Sequence, residues 1–568
     1  MTFTNTLQNI KSILIILNEK KNIYKNIFLT TIGSILEIVG IAFIIPLIHI
    51  MFQNQDYFII KYFSEIFSFE DILIIFMIMF LCFYLFKTIF ISIVNYFVQS
   101  SAFRFQLKLS NEIYKIYIRK NYEFHLANNS SDLLKNIATE SRLFSYIFIN
   151  FIQFFSEILL FIILITFLTF FNFLSTVVVI TFSAVIFFLV YLLFRNKHMM
   201  LSKTRSKIEG DYYKFVSETF NSIKTIKILF KENFFIQRFS EKAAISSKTL
   251  GLQNYLSTLP KIWTEFIAVL LFSLIVLISY KIQNQITVET FTLVAVYSAA
   301  AFRLIPSVNR IIFNFQFILN NSAGIEILKD QINIKADKIY FDNQEISFSK
   351  KIKLRNLNFS YNQKNKILND LCLDINKNEF IGIKGVSGSG KTTLIDLISG
   401  LKDIQGGSIT VDDKKIDFRS TSWRKKIGYI TQKTTILDES IKKNIIFGDD
   451  LNNLNETEIN NVVKLSKLDE FIKKQTNGIN TIIGENGARI SGGQVQRIGI
   501  ARSLYFKPEI LIMDEPTNSL DKNTEKEFLS GIKDIKGKVT IIMVSHSEIT
   551  KDYCDSVYEL IDGKLTKL

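Results

Sequence analysis

The apolar positions fall in blocks. Six long runs rich in Ile, Leu, Phe and Val lie before about residue 316: 27–51, 72–97, 144–170, 174–194, 263–282 and 290–317. Each reaches the ~20 residues a helix needs to cross the hydrocarbon of a bilayer. The pattern therefore predicts six membrane helices rather than buried helices of a soluble protein. Only residues 171–173 separate the third run from the fourth, which reads as a tight hairpin. After about residue 334 the pattern changes to strand-like runs at 352–359, 380–384, 426–430, 510–513 and 540–544, alternating with helical and Gly-rich stretches. That alternation predicts an α/β domain. The expected fold class is an α-helical membrane domain of six transmembrane helices with long helical loops (1–325), a linker (326–350) and an α/β domain (351–568). No internal repeat is visible.

The polar stretches orient the spans. Residues 99–143 and 195–260 are long and rich in Lys and Arg, whereas 52–71 and 281–289 are short with little net positive charge. By the positive-inside tendency, the long loops and both termini are expected in the cytoplasm. The long loops are periodic enough to continue the neighbouring membrane helices well beyond the bilayer. The apolar patch 12–17 has Lys20, Lys21 and Lys25 after it and no small-residue cleavage site. It reads as an interfacial amphipathic helix rather than a signal peptide.

Composition adds limits. The 568 residues are 48% hydrophobic and 21% charged, with a net charge of +15, and the mean hydropathy is +0.24. So much apolar surface excludes intrinsic disorder, and 23 Gly with 5 Pro exclude a collagen-like chain. Three cysteines, Cys82, Cys372 and Cys554, exclude a disulfide scaffold and suit a reducing cytoplasm. The bias toward Phe, Ile, Lys and Asn resembles AT-rich coding, so the lysine excess does not point to nucleic acid, and no nucleic-acid partner is expected.

The candidate chemistry begins at GVSGSGKT, 385–392, which follows the apolar run 380–384 and opens a helix near Thr392. This is the strand–loop–helix setting of a phosphate loop. Gly385, Gly388 and Gly390 let backbone N–H groups of the loop, with Ser387, Ser389 and the following Thr393, approach phosphates closely. Lys391 adds a point charge at the β/γ-phosphates and Thr392 a hydroxyl for Mg²⁺. The run ILIMDE, 510–515, is a buried strand ending in two acids. Asp514 is expected to hold Mg²⁺ and Glu515 to act as general base on the attacking water.

ISGGQVQR, 490–497, resembles the signature of ABC-type ATPases. The resemblance implies that Ser491, Gly492, Gly493 and Gln494 contribute to ATP binding. It implies that Tyr361 in FSY stacks on adenine. It further implies that Gln432 in YITQ senses Mg²⁺ and that His546 in VSHS contacts the γ-phosphate. GENG at 484–487 precedes the signature, and Ser519, Leu520 and Asp521 follow the acids. Ile490 stands where the family usually has Leu, and NSLD replaces SALD; neither change removes a catalytic group. In this family one chain's signature completes another's ATP site. With one phosphate loop and one signature, this chain is expected to work as a homodimer with two ATP and Mg²⁺.

Membrane segments ahead of the ATPase in one chain resemble ABC exporters, which work by alternating access. Residues 217–239 resemble the exporter loop that docks on the partner's ATPase. The candidate substrate residues are the cations of the spans, Lys87, Lys261, Arg303 and Arg310, the two arginines being seven apart on one helical face. Intramembrane charges usually line a cavity or meet a partner, and a basic belt suits a phosphate or pyrophosphate head-group. The stretches 37–48, 83–87, 259–263 and 302–312 resemble the bacterial flippases of lipid-linked oligosaccharides in N-glycosylation. That implies an undecaprenyl-pyrophosphate-linked glycan as substrate, the bacterial inner membrane as location and the four cations as its contacts. It also implies a short external helix, to which 56–67 corresponds. Lys87 and Lys261 stand where arginine is the family's expected residue. Glu37, Glu157 and Glu265 are expected to pair with the belt. The alternatives are an exporter of a peptide, a drug or another lipid, an ATPase without transport, and an ATP-binding membrane regulator.

Overall fold

The computed structural model describes residues 3–43, 46–47, 50, 68–170, 173–283, 288–334, 346–362, 365–449, 454–517, 522–546 and 552–568. It divides into two compact units, Met1–Lys120 with Phe124–Ala336, and Asp337–Leu568 with Asn121–Glu123.

The first unit is helical: α1 (Phe3–Ile16), α2 (Lys20–Ala42), α3 (Phe69–Ile118), α4 (Ser141–Thr169), α5 (Phe173–Asn221), α6 (Glu232–Gln283), α7 (Val288–Asn320) and α8 (Ser322–Asn333). The start of α3 is specified locally. Ser68 accepts from Asp71 N at 3.3 Å, and Glu70 and Asp71 sit in the first turn, where the helix dipole favours acids. Neither Gly nor Pro interrupts the next 50 residues, so the helix runs from apolar sequence into polar sequence without a break. The expected continuation of membrane helices into the long loops is therefore seen for α3, α5 and α6. Before α4, the helix Ser130–Lys135 passes through a π-turn, Asn136–Glu140.

Among the described residues, three helical stretches are long and apolar enough to cross a membrane: Lys21–Gly40, Phe69–Ile118 and Ser130–Thr169. A fourth follows if Arg303–Asn320 and Ser322–Asn333, bent by 52°, form one span. The expected six runs each fall on a helix, but the described residues do not establish a count of six. The expected external helix at 56–67 lies outside the described residues.

The stripe expected to lie at a membrane interface has another partner. Ile10, Ile13 and Leu14 of α1 are buried in a cluster with Val98, Phe105 and Leu109 of α3, Phe144 and Phe148 of α4, and Ile325 and Leu328 of α8. Helical periodicity shows that a stripe is apolar, not what covers it. Here the protein itself covers Ile13, Leu14 and Leu17, whereas Ile15 and Ile16 of the same patch are exposed.

The second unit holds two sheets. One is antiparallel in the order β2 (Asn365–Asn376), β1 (Lys351–Asn362), β4 (Gly406–Val411), β5 (Lys414–Lys415). The other runs β10 (Lys564–Lys567), β9 (Ser556–Ile561), β3 (Phe380–Lys384), β8 (Thr540–Val544), β7 (Ile510–Asp514), β6 (Ile427–Ile430). From β9 to β6 its strands are parallel. The central strands serve two cores by alternation. Ile381, Ile383, Ile510, Ile512, Ile542 and Val544 face the first core. Phe380, Leu511, Met513, Ile541 and Met543 face the second. Strands covered on both faces read as continuous apolar runs, which is why β3, β7 and β8 were visible in the sequence.

The helices flanking this sheet are α9 (Lys391–Ile398), α10 (Glu456–Leu465), α11 (Gly492–Tyr505) and α12 (Lys522–Lys533). Trp423 lies in the first core at 0% exposure, and its indole N–H donates to Ile398 O at 2.9 Å. It thereby ties the end of α9 to the edge of β6. Trp423→Ala is expected to lower the stability of the ATPase unit by about 3–5 kcal/mol, read as a lower thermal unfolding midpoint of the full chain in detergent.

Candidate functional site

Four neighbouring parallel strands end on one edge, the side on which open α/β sheets bind ligands. β3 runs into the loop 385–390, β8 into Ser545 and His546, β7 ends in Asp514 with Glu515 beyond, and β6 leads to Gln432. The sheet thus brings together residues more than 150 positions apart.

The loop after β3 is shaped by its glycines. Gly385, Gly388 and Gly390 have φ of 154°, 82° and 103°. A Cβ at Gly385 would meet Leu560 O at 2.6 Å, and one at Gly390 would meet Ile367 Cγ2 at 2.8 Å. Gly388 has nothing within 4 Å and forms the open mouth, beside exposed Ser387. Gly390 is the left-handed cap from which α9 starts, with Lys391 as its first residue. The Lys391 ammonium is buried and donates to its own loop at Gly385 O (2.9 Å) and Val386 O (3.0 Å). Burial pushes its pKa down, against the pull of Glu515 and Asp514. Among the described residues, Ser389 Oγ is buried without a partner. An orphan hydroxyl, an open glycine mouth, a helix N-terminus and a lysine folded onto weak carbonyl acceptors fit a polyphosphate. Phosphate oxygens would offer Lys391 charged acceptors instead.

The acids stand opposite. Thr392 Oγ1 donates to Asp514 Oδ2 at 3.1 Å. Burial pushes the Asp514 carboxyl up, and the Thr392 hydrogen bond opposes it. The hydroxyl of Thr392, the carboxylate of Asp514 and the amide oxygen of Gln432 are the hard oxygen donors that suit Mg²⁺. Among the described residues no three His, Cys, Asp or Glu gather to hold a metal by themselves.

Glu515 is the centre of the arrangement. Its Oε2 accepts from Gln432 Nε2 at 2.8 Å, and its Oε1 lies 3.0 Å from His546 Nε2. Its φ of 49° is a costly left-handed conformation for a non-glycine residue. The Glu515 N–H donates to Val544 O at 2.9 Å and holds it there. Gln496 was not singled out from the sequence. It donates from Nε2 to Gln432 O (3.1 Å), and Thr434 Oγ1 donates to Gln496 Oε1 (2.9 Å). The signal was present as the second glutamine of ISGGQVQR, but nothing in the sequence says which backbone it meets.

Tyr361 presents an exposed ring, its hydroxyl 3.1 Å from Thr393 Oγ1 and the Lys402 ammonium 4.4 Å from its ring centre. Ser491 caps α11 reciprocally with Gln494: it accepts from Gln494 N at 3.3 Å, and its own N–H donates to Gln494 Oε1 at 2.9 Å. Ser491 and Gly492 are exposed, and Gly493 and Gln494 half-buried. Among the described residues no hydrogen bond or ion pair joins these four to the phosphate loop. Ser519, Leu520 and Asp521 lie outside the described residues.

Residues 368–518 match the ABC transporter family model, and residues 23–305 match that of the ABC transporter transmembrane region. A protein of Rickettsia prowazekii described as an export ATP-binding/permease protein is 30% identical over 484 residues, 83% of this chain and 82% of that one. The chain belongs to the ABC transporters. It is a membrane exporter whose ATPase hydrolyses ATP to drive transport. An ATP-dependent lipid A-core flippase of Saccharophagus degradans is 31% identical over 278 residues, 48% of this chain and 46% of that one. The solved structure of a bacterial Atm1-family ABC exporter with ATP bound has the same fold. Its TM-score is 0.81 at 18% identity, over 96% of this chain and 94% of that one.

The cations expected in the spans are not a bare belt. Arg303 pairs with Glu37 and lies 3.8 Å from Glu157 Oε1. Arg310 Nε lies 3.1 Å from the same Oε1, and Glu157 Oε2 accepts from Ser307 Oγ at 2.7 Å. Lys87 rests 4.1 Å from the ring centre of Tyr84, within electrostatic reach of Glu37 and Arg303. Lys261 is exposed and joins none of these pairs among the described residues, and Glu265 is exposed as well. Among the described residues, the expected pairing with the belt is seen for Glu37 and Glu157 and not for Glu265. Three of the four cations gather, both arginines are held by the protein's own carboxylates, and Lys261 stands apart. The physical reason is that buried Glu157 needs counter-charges, which half-buried Arg303 and exposed Arg310 supply.

Glu515→Gln is expected to lower ATP hydrolysis by about 100-fold while ATP stays bound, read as phosphate release against retention of labelled nucleotide. Hydrolysis at the unaltered rate would remove Glu515 from the role of base.

Proposed function

We propose that this ABC exporter is a lipid flippase. In this reading ATP hydrolysis carries an anionic lipid-linked substrate, undecaprenyl-pyrophosphate-linked oligosaccharide, across the bacterial inner membrane by alternating access. The observation that carries the reading is the cluster of Lys87, Arg303 and Arg310 inside membrane helices, where a charge is costly and a hydrophobic drug would not call for one. Guanidinium groups bind phosphate oxygens in a fork geometry. The lipid A-core flippase among the relatives supports a lipid substrate.

In the ATP cycle, Lys391 and the loop amides hold the phosphates. Thr392, Asp514 and Gln432 would hold Mg²⁺, which when bound neutralises charge on the β- and γ-oxygens. Glu515 accepts the proton of the attacking water, and His546 lies against the same carboxylate, in reach of a γ-phosphate. The exposed N-terminus of α11, with Ser491 and Gly493, would face the phosphates of a second copy, in a homodimer with ATPases and termini in the cytoplasm. The end of α5 and the turn before α6 expose Phe220, Ile228, Leu229 and Phe230, an apolar knuckle suited to docking on the partner.

The test is transport in proteoliposomes with ATP and fluorescent lipid-linked oligosaccharide, a peptide or a drug in separate arms. ATP-dependent movement of the glycolipid supports the reading, and movement of the drug or peptide alone ends it. In the same assay Arg303→Ala and Arg310→Ala are expected to lower glycolipid transport per ATP hydrolysed by about tenfold or more. Equal loss of transport and hydrolysis would mean that the arginines only hold the fold.

A further inference from the structure

We propose that Glu157 is an internal stand-in for the substrate's phosphate, a counter-ion that the head-group must displace from Arg303 and Arg310 in order to bind. This inference rests on the flippase reading and names a specificity-determining residue within its site.

The geometry is that of one carboxylate serving two guanidiniums. Glu157 on α4 is buried. Its Oε1 lies 3.1 Å from Arg310 Nε and 3.8 Å from Arg303 Nη2, and its Oε2 is held by the Ser307 hydroxyl at 2.7 Å. Arg303, Ser307 and Arg310 come from successive turns of α7, so a single side chain of α4 spans the polar face of α7. A carboxylate and a phosphate oxygen compete for the same N–H fork. The site is also built to exchange one for the other. Arg310 is 48% exposed, and among the described residues only its Nε is engaged. Arg303 Nε is buried with no hydrogen-bond partner. Donors for a second anion are therefore present while Glu157 occupies the first place.

The charge balance points the same way. Lys87, Arg303 and Arg310 face Glu37 and Glu157, three cations against two carboxylates. These side chains together are close to neutral, as a membrane interior requires. A ligand bearing two negative charges fits best if one carboxylate withdraws. A neutral or cationic molecule cannot replace Glu157, because that would leave two guanidiniums unpaired. The carboxylate thus acts as a filter: it lowers affinity for every ligand, but anions alone recover the loss.

The experiment compares wild type with Glu157→Gln in proteoliposomes, following ATP hydrolysis stimulated by polyprenyl pyrophosphate. Polyprenol and inorganic pyrophosphate form separate arms. In Glu157→Gln the half-saturating concentration of polyprenyl pyrophosphate is expected to fall by about tenfold. The thermal midpoint of the ligand-free variant in detergent is expected to drop and to be restored by that lipid and not by polyprenol. A response to inorganic pyrophosphate of the same size would assign the exchange to free phosphate rather than to a lipid head-group, and would overturn the lipid part of the proposal. Ser307→Ala leaves the charge in place and removes only the tether on Oε2, so it is expected to shift half-saturation in the same direction by a smaller factor. It serves if Glu157→Gln does not fold. An unchanged or raised half-saturating concentration in a variant that folds and still responds would overturn the proposal and leave Glu157 a structural partner. No response of the wild type to polyprenyl pyrophosphate would instead end the flippase reading itself.

Discussion

The ATP site depends on the parallel register of β3, β8, β7 and β6. Val544 pairs with Ile383 on one side and Asp514 on the other, and Ile430 pairs with Met513, so all four strands finish level. A slip of one residue would exchange the two cores and turn every side chain over. The catalytic edge is therefore protected by the hydrophobic interior below it. Glu515 shows the coupling directly, since its backbone N–H is held by Val544, the last residue of β8, while its carboxylate meets residues after β6 and β8.

The membrane unit answers the same question with charge. Two arginines share buried Glu157, and Glu37 supports one of them. A similar economy recurs lower on α5, where buried Arg205 lies 3.7 Å from buried Glu140 and donates to Asn321 Oδ1 at 2.9 Å. Gly324 on α8 makes room there, for a Cβ would collide with Glu140 Oε2.

Much of this was legible in the residues. The central strands announced themselves as short apolar runs because both faces are covered. The phosphate loop, the acids and the signature could be read because each needs particular side chains at fixed spacing. Strands β2, β4, β5, β9 and β10 were missed because they mix polar with apolar positions instead of forming continuous apolar runs. The stripe on α1 was readable, but its cover was not, because periodicity does not name a partner. The arginines were visible as costly charges. Glu157, about 150 residues earlier, was legible as an acid that would pair with the belt; that it meets both arginines at once is a long-range contact that no local pattern specifies. Gln496 was hidden for a related reason, since its partner is a backbone carbonyl after β6.

One feature of α3 has mechanical meaning. Its 50 residues span about 75 Å, and only about 30 Å of that is needed to cross hydrocarbon. The remainder is a stiff arm of about 45 Å, unbroken by Gly or Pro. A rod of this kind converts angle into distance: a tilt of about 5° within the bilayer carries its far end through about 4 Å. Displacements too small to repack the ion pairs around Glu157 can therefore become ångström-scale travel at the end of α3, with no hinge and no melting of the helix between them.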